Sequence, residues 1–476
     1  MTVPVPVPDP IKIKVGMPSD PKEISIEVPE GDPIPWQLGE QRTVVGKRQP
    51  RLDAFAKVTG RAKYTFDVNL PGMLYAKFVR CPYARAKVKS VDVAAALKHD
   101  GVKAAKAVGR PDVRYAWSLV AVVAATSRQL ADEAARLVKV EYEVLPHAAR
   151  MEQSLGENAP RVLDNRANSV ENANQTSKPP QRAKVDEALK VAAHTVSAVA
   201  RTQVQTHSCL ESHGVVAHWE SPDRLKVWAS TQGTFSVRRD LADIFSIPEP
   251  SVTVIAHYMG GGFGSKFGLG YFGRYAAELA KETGLPVKLM LDRKEEHTSG
   301  GNRPESVQEM TLGLSDKGEL LGYRVKVWGN GGQAGGGDAR NPLIYRFKEV
   351  DKTLMDVATN AGPAAAFRAP GHPQGSFGLE TILDLAAEAL GMDPLELRVK
   401  NDPHPIRQFQ YKEGAKLFGW DKRKKNGSDV GAVKRGIGVA SAVWYALGGR
   451  GADVLCRIRK DGSVEVRPTT GEAEAS

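Results

Sequence analysis

The segment Tyr258-Met-Gly-Gly-Gly-Phe-Gly-Ser-Lys266 sets Gly260, Gly261, Gly262 and Gly264 around Phe263, between the strand-like run VTVIAH and a helical run. Without Cβ atoms, such backbone lies close to a neighbour and aims its amides at it. Spacing excludes two familiar uses. A phosphate loop, G-x-x-x-x-G-K-[ST], needs glycine where Ser265 stands and Ser or Thr where Phe267 stands. The dinucleotide pattern G-x-G-x-x-G reaches Ser265 from Gly260 and Phe267 from Gly262, so it fails in both registers. A glycine-rich turn and a ligand-contact loop both remain open.

A second cluster is Ala366-Phe-Arg-Ala-Pro-Gly-His-Pro-Gln-Gly375, running into a strongly periodic helix. Its Arg368, followed by Ala369 and Pro370, is a pre-organised donor for an anion or oxo ligand. The third is Ser230-Thr231-Gln232 after the strand LKVWA, where the Gln232 amide has a hydrogen bond to donate. His207, Glu211 and His213 share one face if their segment is a strand. No second ligand pair or H-E-x-x-H accompanies them, so a metal site is the weaker reading. A serine triad lacks its G-x-S-x-G elbow.

The elements that must position these groups are mixed. Residues 1–41, rich in Pro and Val, read as an extended arm. From Arg42, alternation around Pro71-Gly72 predicts paired strands, and TSRQLADEAARLV predicts a helix capped by Thr126 or Ser127, then a strand through Val140 and Tyr142. This α+β unit is expected to end near Pro146. Residues 147–183 are polar and read as a linker. Beyond them, LKVWAS and VTVIAHY alternate with FGRYAAELAKETG and LETILDLAAEALG, a mixed α/β pattern extending at least to Asn401. Asp461-Gly462 predicts a hairpin turn.

Composition narrows the class. A chain of 476 residues with 41% hydrophobic and 25% charged residues is globular and divides into several domains. The net charge of +11 is scattered. Its one dense run, Lys422-Arg-Lys-Lys425, has no interleaved aromatics, so a solvated face and an acidic partner are favoured over nucleic acid. Cys81, Cys209 and Cys456 are too dispersed for a disulfide framework or an iron–sulfur site. No signal-peptide pattern and no apolar run of spanning length is visible, so a cytoplasmic protein is expected, periplasmic only if exported with a signal-bearing partner.

Taken in order, VVGKRQPRLDAFAKVTGRAKYTFDV, CPYARAKV, the H-x-x-x-E segment, STQ, MGGGFGSK, FRAPGHPQGSFGLE and LGMDPLELRVKN resemble the large subunit of xanthine dehydrogenase/aldehyde oxidase molybdenum hydroxylases, most of all bacterial aldehyde oxidoreductase subunits. The resemblance implies an a/b hammerhead domain over residues 42–146, a first molybdopterin-binding domain over 184–425, and only the start of a second over 426–476. It implies that Gln232 hydrogen-bonds a molybdenum oxo group. It also implies that Gly260 to Gly264 with Phe263 line metal and pterin, and that Arg368 and Ala369 sit beside the metal. The implied cofactor is molybdenum-molybdopterin in its cytosine dinucleotide form. The implied partners are an iron–sulfur subunit with 2Fe-2S clusters and an FAD subunit.

The chemistry so implied is hydroxylation of an aldehyde or N-heterocycle with water as oxygen source. Purine-oxidising relatives place glutamate where Phe267 stands and an aromatic where Pro370 stands, so these two pocket positions favour an aldehyde substrate. The run GRPDVRYAWSLVAVVAAT is shorter than the family pattern. The glutamate base of the family falls in the second domain, so no residue of this chain is assigned as the base. A separate chain supplying that half is the leading expectation. An inactive truncated fragment and a non-catalytic basic binding protein are the alternatives.

Overall fold

The computed structural model describes residues 11–17, 20–26, 41–334, 336–337, 344–444 and 454–468. Residues 1–62 and 63–476 form separate compact units. In the first, the strands Ile11–Met17 and Asp20–Ile26 pair antiparallel, and a short helix spans Ala54–Val58. Much of the arm expected over residues 1–41 lies outside the described residues.

The second unit is organised around two large sheets. One has seven strands in the order Val252–Ile255, Arg224–Ala229, Gly214–Ser221, Val287–Met290, Leu74–Arg80, Leu119–Ala125, Val102–Ala107. Strand Leu119–Ala125 is buried along almost its whole length, as LVAVVAA requires of a strand covered on both faces. Val122 and Ala124 join the core shared with helix Gly270–Thr283, whereas Ala121, Val123 and Ala125 pack with Ala131 and Ala134 of helix Arg128–Leu137. Ser127 caps that helix, its side chain accepting from Leu130 N.

The other sheet has five strands: His194–Thr202, Glu305–Leu314, Leu320–Asn330, Glu349–Val357 and Ser169–Glu171. Helix His372–Leu390 buries Leu379, Ile382, Leu383, Ala386 and Ala387 against its Met310, Leu312, Tyr323 and Val325. At roughly 2 kcal/mol for each large buried side chain, this face holds the helix firmly. Residues 147–183 contain a helix at Met151–Ser154, the edge strand Ser169–Glu171 and the start of helix Pro179–Lys190.

One strand expectation is corrected. Among the described residues, no strand pair closes around Pro71-Gly72: the residues before it form the 3-10 turn Thr65–Asp67, and the strands after it, Leu74–Arg80 and Ala86–Asp92, do not pair with each other. Leu74–Arg80 enters the seven-stranded sheet, whereas Ala86–Asp92 pairs with Asp112–Val113 and Lys139–Val144. The intervening CPYAR is no tight turn, and the strand patterns differ accordingly: Leu74–Arg80 is buried at alternate positions, Ala86–Asp92 mostly exposed.

Candidate functional site

Strands Arg224–Ala229 and Val252–Ile255 run parallel, with Trp228 opposite Ile255. Their carboxyl ends therefore open at the same edge, where ligands of open α/β sheets gather. Ser230-Thr231-Gln232 leaves one and Tyr258–Lys266 the other. The Gln232 amide N–H donates to Lys266 O at 2.8 Å, and its side-chain Oε1 accepts from Gly264 N at 2.8 Å and Lys266 N at 3.4 Å. Because backbone N–H groups fix the oxygen end, the Gln232 NH2 is the end left to donate outward.

The loop glycines have a protein-side reason. A Cβ on Gly260 would stand 2.4 Å from Glu211 Cβ, one on Gly262 2.3 Å from Gln232 Oε1, and one on Gly264 2.7 Å from Ala366 O. Gly261 and Gly264 also adopt φ of +97° and +104°. Phe263 between them sits at φ +53°, a conformation costing a non-glycine residue about 1 kcal/mol or more. Gly260 N donates to Glu211 Oε2 and Gly264 N to Gln232, so these two amides are taken. Among the described residues, the amides of Gly261, Gly262 and Phe263 have no acceptor. Three consecutive free donors fit a bound group bearing acceptor atoms.

The Arg368 loop reaches this site from the other sheet. Strand Asn302–Arg303 pairs with Gln205–Thr206, and Ala365 N donates to Asn302 O. Arg368 N donates to Phe263 O at 2.8 Å, locking the two loops together. Arg303 donates to Arg368 O at 2.6 Å and to Gln374 Oε1 at 3.2 Å, while its guanidinium lies 4.4 Å from the centre of the Phe367 ring. Phe367 stacks on His207 at 4.3 Å and faces Phe263 at 6.4 Å. Ala369, at φ +56°, is a second strained residue, immediately before Pro370 and the helix His372–Leu390. The Arg368 side chain is exposed and has no acceptor among the described residues. A cavity of 330 Å³ beside the loop is lined by Arg303, Phe367, Pro370 and Gly371 among others; Phe267, half-buried, is not on its wall.

Sequence reasoning missed the residues that brace these loops. The segment holding His207, Glu211 and His213 is irregular rather than a strand, so they do not form a common face. No group of metal-binding side chains occurs among the described residues. Each holds a different element instead. His207 Nε2 bonds Ala366 O at 2.7 Å, and burial lowers its pKa, keeping it a neutral donor. Glu211 accepts from Phe66 N, Ser230 Oγ and Gly260 N. His213 Nε2 meets Ser265 Oγ at 2.9 Å. Lys266, 1% exposed, donates to Glu211 O and Ser230 Oγ, and burial pushes its ammonium below the ordinary lysine range. The clustering of His207, Glu211 and His213 was the one available signal.

Fold and loops define a molybdopterin cofactor-binding domain, whose family model matches residues 168–402; that of the aldehyde oxidase and xanthine dehydrogenase a/b hammerhead domain matches 59–108. The chain belongs to the xanthine dehydrogenase/aldehyde oxidase family of molybdenum-binding subunits. It is 30% identical to the xanthine dehydrogenase molybdenum-binding subunit of Escherichia coli O157:H7, over 88% of this chain and 62% of that one. It is also 30% identical to the nicotinate dehydrogenase large molybdopterin subunit of Eubacterium barkeri, over 76% of this chain and 90% of that one. Quinoline 2-oxidoreductase from Pseudomonas putida 86 superposes with a TM-score of 0.67 at 27% identity, over 75% of this chain and 50% of that one. The chain thus spans about three fifths of the length of the xanthine dehydrogenase subunit it matches. No helix among the described residues is long and apolar enough to cross a membrane.

Proposed function

We propose that this chain supplies the metal-facing half of a molybdenum hydroxylase site in a cytoplasmic complex. The observation that carries this reading is that loops joined by backbone bonds carry three donor sets with no acceptor among the described residues: the amides of Gly261 to Phe263, the NH2 of Gln232, and the guanidinium of Arg368. All three stand on loops cross-braced by backbone bonds, so they are pre-organised before a ligand arrives. Gln232 and the amides would hold the molybdopterin group, which supplies the two-electron oxidation centre when bound. Arg368 would orient an electron-rich oxygen of the substrate beside it.

The proposed reaction is oxidation of an aldehyde with water as the oxygen source, favoured by Phe267, which puts no carboxylate at the first of the two positions, and by Pro370, which puts no aromatic ring at the second. An N-heterocycle is the second reading, favoured by the nicotinate and quinoline relatives. The cofactor is proposed in its cytosine dinucleotide form, with 2Fe-2S and FAD subunits as electron partners. A second cofactor domain, on another segment or chain, would complete the site and bring the base. The hairpin Val454–Ile458 with Val464–Pro468 supports this: every strand residue described is exposed or half-buried, and two strands alone are barely stable in water.

The test is to purify the protein with its bound chains from its own host, measure molybdenum and pterin, and assay vanillin against xanthine. Stoichiometric metal, a co-purifying iron–sulfur chain and faster vanillin turnover are expected. Metal-free protein refutes the cofactor assignment, and faster xanthine turnover refutes the aldehyde.

A further inference from the structure

A cavity of 660 Å³ touches the glycine loop at Gly260, while Gln232, Phe263, Arg368 and Pro370 are not among the residues that line it. Tyr64, Phe66, Tyr75, Leu210 and Met290 give it apolar walls. Two of its cations form no ion pair among the described residues. Lys288, 3% exposed, donates to Phe66 O and Val68 O at 2.5 and 2.9 Å, leaving one ammonium proton without a described acceptor. Arg128 touches only rings: its guanidinium lies 4.6 Å from the centre of Phe66 and 5.7 Å from that of Tyr75. Lys288 Nζ approaches the same Phe66 ring at 5.4 Å.

Among the described residues, none of the remaining charges of the lining forms an ion pair with these two. Lys77 is matched by Asp292 and Glu295, and Arg293 by Glu296. Asp67 Oδ2 accepts from Tyr64 N and both Glu211 oxygens accept from neutral donors; both carboxylates attract Lys288 through space, and neither bonds it. Asp132 is exposed and forms no described ion pair. Lys288 is held down to about 8, first by burial and then by the charge of Arg128, despite opposing pulls from Asp67 and Glu211. Two like charges thus face one apolar cavity, and an anion between them would relieve both.

We infer that this cavity is a second ligand site, bordered by the cofactor loop at Gly260, which takes a small organic anion: a carboxylate on an aromatic or compact apolar body. The carboxylate bonds Arg128 and the free Lys288 proton, and the body lies against Tyr64, Phe66 and Tyr75. The site meets the glycine loop at Gly260 and through the Glu211 side chain. Glu211 lines the cavity and accepts from Phe66 N on one side and Gly260 N on the other, so occupancy tightens the backbone that presents the free amides.

The test titrates the full chain calorimetrically with benzoate and, as a neutral analogue, benzamide. Benzoate is expected to saturate one site, with benzamide and the Arg128→Gln variant each about tenfold weaker, the effect of one charge-assisted contact. Arg128 is exposed and contacts only rings, so this variant keeps the fold. Arg368→Gln is expected to leave benzoate affinity unchanged. Failure of benzoate to saturate, equal binding of benzamide, or weakening by Arg368→Gln instead of Arg128→Gln overturns the site. Benzoate is also expected to slow amide exchange at Gly260 to Gly264; unchanged exchange overturns the coupling.

Discussion

Replacing Glu211 by Gln changes no volume and removes one acceptor. The Glu211 carboxylate, 8% exposed, accepts from Phe66 N at 3.1 Å through Oε1, and from Ser230 Oγ at 2.8 Å and Gly260 N at 2.9 Å through Oε2. An amide presents one oxygen. Turned to keep Ser230 and Gly260, it sets its NH2 against the Phe66 N–H; turned the other way, it loses two donors. The first orientation is cheaper and forfeits one hydrogen bond to a charged acceptor, about 1.5–3 kcal/mol, while the other two weaken to neutral bonds. We expect Glu211→Gln to lower unfolding free energy by about 2–3 kcal/mol in urea titrations. Faster hydrogen exchange at Gly260 should accompany it. Glu187→Gln is the control, since Glu187 and its partner Lys190 are 70% and 69% exposed, and solvent-screened pairs of this kind contribute little to stability. A Glu211→Gln protein as stable as the control refutes the bracing role.

Gly262→Ala places its methyl 2.3 Å from Gln232 Oε1, so Gln232 must swing away from Gly264 N. The protein should keep its circular dichroism yet lose most of its bound molybdopterin, measured by fluorescence of the oxidised pterin. The depressed pKa of Lys288 makes stability depend on alkaline pH. Its folded value of about 8 lies below the unfolded value of about 10.4, so its contribution is complete above the unfolded value and is lost as pH falls through the folded one. Urea midpoints at pH 8 and pH 10 should therefore show a relative gain at pH 10 in wild type that Lys288→Met lacks. In the isolated chain, the amides of 454–468 should exchange almost freely, and a completing domain should protect them. Equal exchange with and without that domain would contradict the docking.

The motifs that cluster in sequence were readable. Glycines, an arginine among Pro and Gly, and an STQ after a strand each announce a backbone that must turn or a donor on display. The braces were not. Gly260 and Glu211 are 49 residues apart, His207 and Ala366 159 apart, and no local pattern marks a pairing over such distances. His207, Glu211 and His213 did stand out, but the strand assumed for them gave a shared face that the irregular segment lacks. Strands were legible as strands, whereas their partners were not: alternation sets which face is buried, and nothing in it chooses between two sheets. The seven-stranded sheet also runs across the boundary expected near Pro146, joining Leu74–Arg80 to Val287–Met290.

The two halves of the site grow from different sheets. Gln232 and the glycine loop leave neighbouring parallel strands of the seven-stranded sheet, while the Arg368 loop enters a helix packed on the five-stranded one. Under the proposed roles, the cofactor's hold and the substrate's reach would therefore have separate foundations. A change of residues 364–371 can retune what is admitted without disturbing the amides of Gly261 to Phe263, provided the bond from Arg368 N to Phe263 O is kept. That single bond is the hinge on which an altered specificity would be built, and loop grafting is the way to exploit it.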